Sequence, residues 1–430
     1  MGDGFAVLRS SVREYLGSEA NHALGIPTTR ALSLVVTSQL VHRESLEPGA
    51  IVCRLSPSWI RFGSFQIFQM TKETEPLRIL ANYVIKYHFP ELIENLEDKD
   101  SDCFPVEIYK EFYKEVARRT AKLVASWQAV GFCHGVLNTD NMSILGLTLD
   151  YGPFGYFSNL APSWSPNLSD YTYRYSYKNQ PAVGAWNLKM LGQALNPLFE
   201  EDNEIIPLPI YDEGEAQCSK FITDVTLLYD DMFLQEFYQL MNKKLGLPTY
   251  KVEDEDELVN LLLKLLADNS VDYHNFFRRL SHMTNIFPIT KDSVYKDIIK
   301  YLLKDGIGNN DMDKIEDENK WLQWLTMYIS RLTQEYDEKE ITQISKSMLK
   351  VNPRFLLRNW VAQEVNDELY KENFKSEKLR IIYDLTCKYP YAEDDEIDYV
   401  AHPYLTKEIL EYYSGPGTES SKELKCSCSS

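Results

Sequence analysis

Residues 131–156, GFCHGVLNTDNMSILGLTLDYGPFGY, constrain the fold and chemistry of this chain more than any other stretch. Asp140, Asn141 and Asp150 are separated by the apolar run Met142–Leu149, which predicts two short strands meeting at Gly146. Such a hairpin would hold the three oxygen-bearing side chains together at its open end. This grouping suits phosphoryl or nucleotidyl transfer, in which a carboxylate deprotonates the attacking hydroxyl and oxygen ligands hold Mg²⁺ against phosphate.

The composition favours a globular protein that does not bind nucleic acid. The chain has 430 residues, of which 44% are hydrophobic, and its formal net charge is −19. Because nucleic-acid backbones are bound by an excess of Lys and Arg, this charge argues against a nucleic-acid groove. No apolar run approaches the roughly 20 residues of a membrane span, and there is no signal peptide, so we expect a soluble chain. Seven cysteines without a framework spacing favour a reducing compartment.

Two other interpretations of the central residues remain open. Asp140, Asn141 and Asp150 could be ordinary turn residues, a role that Asp and Asn favour. A metal hydrolase would instead use His134, Asp140 and Asp150 as ligands, although no second histidine accompanies them. The spacing also resembles a protein kinase catalytic loop followed by its magnesium-binding Asp-x-Gly, here Asp150-Tyr151-Gly152.

Several stretches together resemble one family, selenoprotein O, whose kinase-like members transfer AMP from ATP to protein hydroxyls. They are HGVLNTDNMSILGLTLDYGPFG, RYSYKNQPAVGAWNLKMLGQAL, NPRFLLRNW and YPYAEDDE, in this order along the chain. The resemblance implies an α+β, protein-kinase-like fold with two lobes. We expect a truncated, β-rich amino-terminal lobe at 1–72, a large and mainly helical lobe at 73–415, and a flexible tail at 416–430.

The resemblance also implies roles for individual residues. Asp140 would be the general base, and Asn141 and Asp150 would hold Mg²⁺, or Mn²⁺, with Asp150 also contacting the nucleotide. The remaining nucleotide contacts would be Asp3, Gly4, Glu14, Arg54 and Arg61. Glu14 matches a helix glutamate that pairs with a nucleotide-binding lysine, which we expect upstream of this chain.

Arg54 and Arg61 carry an independent signal for phosphate. They flank a turn at Pro57-Ser58, and a guanidinium forks onto two phosphate oxygens. An ordinary pair of surface arginines is the alternative interpretation.

The expected substrates are ATP and proteins bearing Ser, Thr or Tyr hydroxyls. A conventional protein kinase could use the same residues. A catalytically inactive, kinase-like binding protein is a further alternative, because the sequence contains no glycine-rich phosphate loop and the upstream lysine is missing. We therefore expect impaired transferase activity. Family resemblance implies a mitochondrial location, while the lack of a transit peptide leaves a cytosolic one open.

Apolar periodicity predicts helices at 3–24, 73–96 and 106–130, and mainly helical structure over 215–415. A further helix is expected to start near Trp186-Asn187.

Two β-rich runs and a polar tail complete the predicted organisation. The runs are Ala31–Ser38 and Ala50–Ser56, with a turn expected at Pro48-Gly49. The polar tail predicts disorder. It carries Cys426 and Cys428, a thiol pair with a predicted redox role.

Overall fold

The computed structural model describes residues 4–43, 45–199, 219–283, 292–304, 318–336, 338–372, 374–418 and 424–426. The predicted site residues Asp3 and Cys428 lie outside these ranges.

The chain is an α+β protein, as predicted, with its strands between residues 6 and 156 and helices throughout the described ranges. Strands β1 (Ala6–Val7), β2 (Arg30–His42) and β3 (Leu46–Leu55) form an antiparallel sheet in the order β1-β3-β2. Strands β4 (Phe132–Cys133) and β5 (Gly155–Tyr156) pair with each other. The helices of the described residues are α1 (Leu8–Ala23), α2 (Phe62–Thr71), α3 (Thr74–His88), α4 (Val106–Val130), α5 (Gln180–Leu195), α6 (Lys220–Leu245), α7 (Leu261–Asp268), α8 (Tyr273–Met283), α9 (Asp292–Leu302), α10 (Glu318–Thr333), α11 (Glu338–Leu349), α12 (Asn359–Lys371), α13 (Glu377–Tyr383) and α14 (Lys407–Ser414).

Helix α1 packs against the three-stranded sheet. Its buried stripe repeats at helical spacing through Leu8, Val12 and Leu16, and the sheet contributes Ala50 to the same core. The predicted turn at Pro48-Gly49 is wrong, because Pro48 pairs with Leu40 inside β3 and the chain reverses nearer residues 43–45. The β2–β3 hairpin is longer than the two predicted runs, and its pairing register shifts at two places along β2.

Helix α4 leads directly into residues 131–156, which we call the central stretch. Its bounds, Val106–Val130, match the predicted helix, and it ends at Gly131, whose φ of +70° is a left-handed C-cap that glycine adopts without strain. The helix predicted over 73–96, with a break at Phe89-Pro90, is observed as α3, which ends at His88, followed by a short 3₁₀ turn at Pro90–Ile93. Helix α5 begins at Gln180, earlier than expected, with a proline in its first turn. Helix α2 was not predicted.

The central stretch reverses direction as predicted but does not form two strands. Met142 and Thr148 make one isolated antiparallel bridge around Gly146. The backbone on each side bonds to an amino-terminal segment instead: the Thr148 N–H donates to Pro27 at 2.9 Å, and the Phe62 N–H donates to Met142 at 3.0 Å. These longer-range bonds take the place of a hairpin ladder.

The prediction of a disordered tail is wrong for residues 424–426. The Cys426 N–H donates to the Pro166 carbonyl at 2.8 Å, and the Leu168 N–H donates to the Cys426 carbonyl at 2.9 Å. The Asn359 side chain donates to the Leu424 carbonyl at 2.8 Å. Backbone pairing with the loop at 166–168 therefore orders a short piece of a polar segment.

Within the ranges that the structure describes, no helix is long and apolar enough to cross a membrane.

Gly17 lets α1 approach the central stretch closely. A Cβ at this position would lie 2.7 Å from Phe154 Cζ and 2.8 Å from Tyr151 Cδ1. In an unhindered helix interior, Gly→Ala stabilises by about 1 kcal/mol. Here we expect Gly17→Ala to lower the free energy of unfolding by about 1–3 kcal/mol, because overpacking outweighs helix propensity. Chemical denaturation measures this change, and a net stabilisation would contradict the close packing.

Candidate active site

One cleft gathers four of the predicted site residues. It has a volume of about 500 Å³, and its lining includes Glu14, Arg54, Asn141 and Asp150. Helix α1 supplies Glu14, strand β3 supplies Arg54, and the central stretch supplies the other two. Residues far apart in sequence therefore meet at one cavity.

Local capping positions Asn141 in this cleft. Asn141 ends a short 3₁₀ turn, Thr139–Asn141, whose preceding residue Asn138 accepts a hydrogen bond from the Asp140 N–H at 3.1 Å. The Asn141 side chain is buried, and its Nδ2 donates to the Val136 carbonyl at 2.8 Å. Because the amide nitrogen is held inside the loop, the amide oxygen is the atom left to serve a ligand.

Glu14 joins three parts of the structure at the cleft. Its Oε2 lies 2.8 Å from Arg54 Nη1, and its Oε1 accepts a hydrogen bond from the Tyr151 N–H at 3.2 Å. Arg54 is itself fixed by a hydrogen bond to the Thr29 hydroxyl and by the rings of Trp59 and Tyr151. The resemblance predicted a lysine as the partner of Glu14, and within the described residues that partner is Arg54.

The charge on Glu14 is unfavourable in this environment. The pKa of Glu14 is raised to about 8, above all by burial and also by the negative charge of Asp150, while Arg54 opposes both effects. The effects of burial and Asp150 on the pKa of Glu14 together exceed the opposing effect of Arg54. Glu14 is therefore held mainly in its neutral form at neutral pH, and burial is the largest cause.

His134 lines the same cleft as Asn141 and Asp150, and its side chain is almost fully buried. Burial lowers the pKa of His134 to about 4, so the ring is neutral at physiological pH. The Val136 N–H points to Nδ1 at 3.4 Å, which places the ring proton on Nε2. The Trp127 ring packs against the imidazole, with centroids 5.5 Å apart.

The alternative of a metal hydrolase gains no support from the geometry. Among the residues that the structure describes, no group of three or more His, Cys, Asp or Glu side chains could hold a metal ion. Asp140 does not line the cleft with His134 and Asp150.

Asp140 and Arg61 lie together beside the cleft. Asp140 is exposed, and its carboxylate contacts the backbone of Gly63 at the start of α2. Arg61 Nη1 donates to the Asp140 carbonyl at 2.7 Å. Neither residue is part of the cleft lining, but Asp140 directly precedes Asn141, which is.

The other predicted residues are not brought to the cleft. Gly4 is exposed and absent from the lining, and Asp3 lies outside the described residues. Cys426 has a free thiol beside the loop at 166–168, and Cys428 lies outside the described residues, so their redox pairing stays a prediction.

The lining residues that sequence reasoning missed include two with hydroxyl groups, Ser10 and Ser11. Their signal was their spacing, since residues three and four positions before Glu14 share its helix face.

Comparison with known proteins identifies the family of this chain. A family model described as protein adenylyltransferase SelO matches residues 1–386. The chain belongs to the SelO family. It is 39% identical over 429 residues to the protein nucleotidyltransferase YdiU of Aeromonas salmonicida, covering 99% of this chain and 76% of that relative. It is 38% identical over 403 residues to YdiU of Enterobacter sp. (strain 638), covering 94% of this chain and 73% of the relative.

Membership of the SelO family confirms the predicted resemblance and supports a nucleotidyltransferase enzyme. A third relative, YdiU of Myxococcus xanthus, is 39% identical over 395 residues, covering 91% of this chain and 71% of its own. These relatives are bacterial and give no support to the predicted mitochondrial location.

The raised pKa of Glu14 makes stability depend on pH. Between about pH 4.3 and 8 the folded chain keeps a proton that the unfolded chain has lost, so the free energy of unfolding falls as pH rises. Glu14→Gln cannot ionise. We expect its stability relative to wild type to rise by at least about 1 kcal/mol from pH 5 to pH 8, because one pKa unit is worth about 1.4 kcal/mol.

Denaturant titrations at both pH values measure this difference. Glu257→Gln, at an exposed position, is the matched control. Identical pH dependence for Glu14→Gln and wild type would contradict the raised pKa.

Proposed function

We propose that this chain transfers AMP from ATP to Ser, Thr or Tyr hydroxyls of protein substrates. The observation that carries the proposal is the shared cleft of Glu14, Arg54, Asn141 and Asp150, with Asp140 directly before Asn141. Family membership supports the nucleotidyl character of the reaction. The geometry supports a reaction in which the nucleotide enters the cleft and the protein substrate approaches from outside.

The donor set of the cleft fits Mg²⁺. This ion is commonly held by one or two protein carboxylates together with waters and substrate phosphates. Asp150 would supply the carboxylate and Asn141 its amide oxygen, and both side chains line the same cleft. When bound, Mg²⁺ neutralises the negative charge of the phosphates.

Arg54 is the phosphate ligand that the cleft favours. At neutral pH Glu14 is largely protonated, because its pKa is about 8, and Arg54 keeps its charge. The guanidinium therefore presents a net positive charge to the cavity even though Glu14 lies 2.8 Å away. Arg61 uses one N–H on the Asp140 carbonyl and would offer its remaining donors to phosphate from the rim.

Asp140 is suited to deprotonate a macromolecular acceptor. Its carboxylate is exposed, so a hydroxyl on a protein surface can approach it. Contacts with Arg61 and Gly63 hold the turn that carries it. A general base must come within about 2.6–3.2 Å of the hydroxyl oxygen, and a buried carboxylate would exclude a protein substrate.

The proposal includes a kinase-like arrangement of two lobes. The sheet and α1 would form the partial lobe at 1–72, and the helices from 73 to 415 the larger lobe. Two observations support this division. Helix α1 packs on the sheet, and α4 leads into the stretch that carries the turn at Thr139–Asn141.

Asp140→Asn tests the role of the proposed base. The substitution keeps the size of the side chain and removes its basicity, and we expect the rate of AMP incorporation to fall about 10²–10⁴-fold. The assay incubates the chain with ATP, Mg²⁺ and a protein extract and identifies modified hydroxyls by mass spectrometry.

Asp268→Ala, at an exposed position on α7, is the control for loss of a carboxylate. A wild-type rate in Asp140→Asn would remove this residue from the mechanism. Products heavier by phosphate instead of AMP would replace the proposal with conventional protein phosphorylation.

A further inference from the structure

The stretch 151–199 has a charge balance opposite to that of the whole chain. It contains one acidic residue, Asp170, against Arg174, Lys178 and Lys189, while the chain as a whole has a net charge of −19. The Asp170 carboxylate is buried and accepts hydrogen bonds from the backbone N–H groups of Arg174 at 3.0 Å and Tyr175 at 2.9 Å. Because these hydrogen bonds satisfy the Asp170 carboxylate inside the loop, the charged side chains on the outer surface of the stretch are basic.

We group three cations and an exposed tryptophan of this stretch under the name basic aromatic stripe: Arg174, Lys178, Trp186 and Lys189. Trp186 is 42% exposed, and the Arg174 guanidinium carbon lies 4.8 Å from the centre of its ring. Trp186 and Lys189 are three positions apart on α5 and therefore neighbours on its surface. Across the ranges that the structure describes, no carboxylate forms a salt bridge with any of the three cations.

Hydrogen bonds join α5, the helix that carries Trp186 and Lys189, to residues 134–141, which we call the catalytic loop. Asn187, the residue after Trp186, donates from Nδ2 to the Leu137 carbonyl at 2.9 Å. Gln180, at the start of the same helix, accepts a hydrogen bond from the His134 N–H at 2.8 Å. The inner side of α5 therefore holds the loop that carries Asp140, and Trp186 and Lys189 of the stripe lie on the same helix.

The adjoining loop adds exposed apolar surface. Tyr171 is 86% exposed and Leu168 53% exposed. Exposed aromatic side chains beside arginine are typical of the centres of binding surfaces.

We propose that the basic aromatic stripe binds an acidic segment of the protein substrate, next to its acceptor hydroxyl. Arg174 can fork onto a carboxylate while its stacking on Trp186 holds it in place, and Lys178 and Lys189 extend the positive surface. At about 0.15 M ionic strength the screening length is about 8 Å, so a bound segment responds to these cations and not to the distant acidic surface. The assignment rests on the proposed transferase function, because it takes Asp140 as the point where the hydroxyl reacts.

A direct binding measurement tests the surface without any catalytic step. The probe is a fluorescently labelled peptide with a central serine flanked by glutamates, and the comparison peptide has glutamines at the same positions. We expect the glutamate peptide to bind wild type more tightly, by fluorescence anisotropy at physiological ionic strength. The double variant Arg174→Glu/Lys189→Glu should weaken its binding about tenfold, since two exposed charge pairs are each worth up to about 1 kcal/mol.

Lys264→Glu, an exposed charge reversal on α7, is the matched control and should leave peptide binding unchanged. Trp186→Ala tests the stacking partner without changing charge and should also weaken binding. Equal affinity for the two peptides, or unchanged affinity in the double variant, would overturn the proposal. A change of oligomeric state in the double variant, measured by light scattering, would also overturn it and assign the stripe to contact between copies of this chain.

A transfer assay separates failure of this proposal from failure of the proposed function. With ATP and Mg²⁺, wild type should modify the glutamate peptide at least several-fold faster than the glutamine peptide, and the double variant should lose this preference. Equal rates of AMP transfer to both peptides would refute the stripe and leave the transferase function intact. Selective binding of the glutamate peptide without AMP transfer to any substrate would refute the transferase function and leave the binding surface in place.

Discussion

The contact between Glu14 and Arg54 is the interaction on which the candidate site depends. Helix α1 and strand β3 meet at this pair, with 2.8 Å between Oε2 and Nη1, and the loop after Asp150 joins them through the Tyr151 N–H. Burying charges is costly, and loss of one partner leaves the other uncompensated in a medium of low polarity.

The catalytic loop is supported from two opposite sides. Segments near Pro27 and Phe62 bond to the backbone of the central stretch, and α5 holds the loop through Gln180 and Asn187. The exposed Asp140 is therefore carried by a framework whose other members are buried. Such support would give the proposed base a defined position while its carboxylate stays exposed.

Local sequence patterns predicted much of the fold. Helix α4 shows a clear apolar periodicity and has the predicted bounds, and the reversal at Gly146 follows from a glycine in the left-handed region. Errors occurred where distant backbone decided the outcome: Pro48 lies inside β3 because of its pairing with Leu40, and residues 424–426 are ordered by pairing with the loop at 166–168. A pattern along the chain carries little information about partners so far away.

In the candidate site, too, local patterns predicted some features, and contacts between distant parts of the chain decided others. Motif spacing identified Asn141 and Asp150, and the turn with flanking arginines identified Arg54, all three in one cleft. The partner of Glu14 was not predictable, because an ion pair between positions 14 and 54 depends on how α1 packs on the sheet. The position of Asp140 outside the cleft, beside Gly63, depends in the same way on α2, a helix whose periodicity gave no signal.

The most direct test of the account is anomalous diffraction from crystals grown with Mn²⁺ and a non-hydrolysable ATP analogue. The account predicts one manganese peak at about 2.0–2.3 Å from oxygen atoms of both Asn141 and Asp150, with analogue phosphate within reach of Arg54. A nucleotide bound in the cleft with manganese away from both side chains, or a nucleotide bound at another surface, would contradict it.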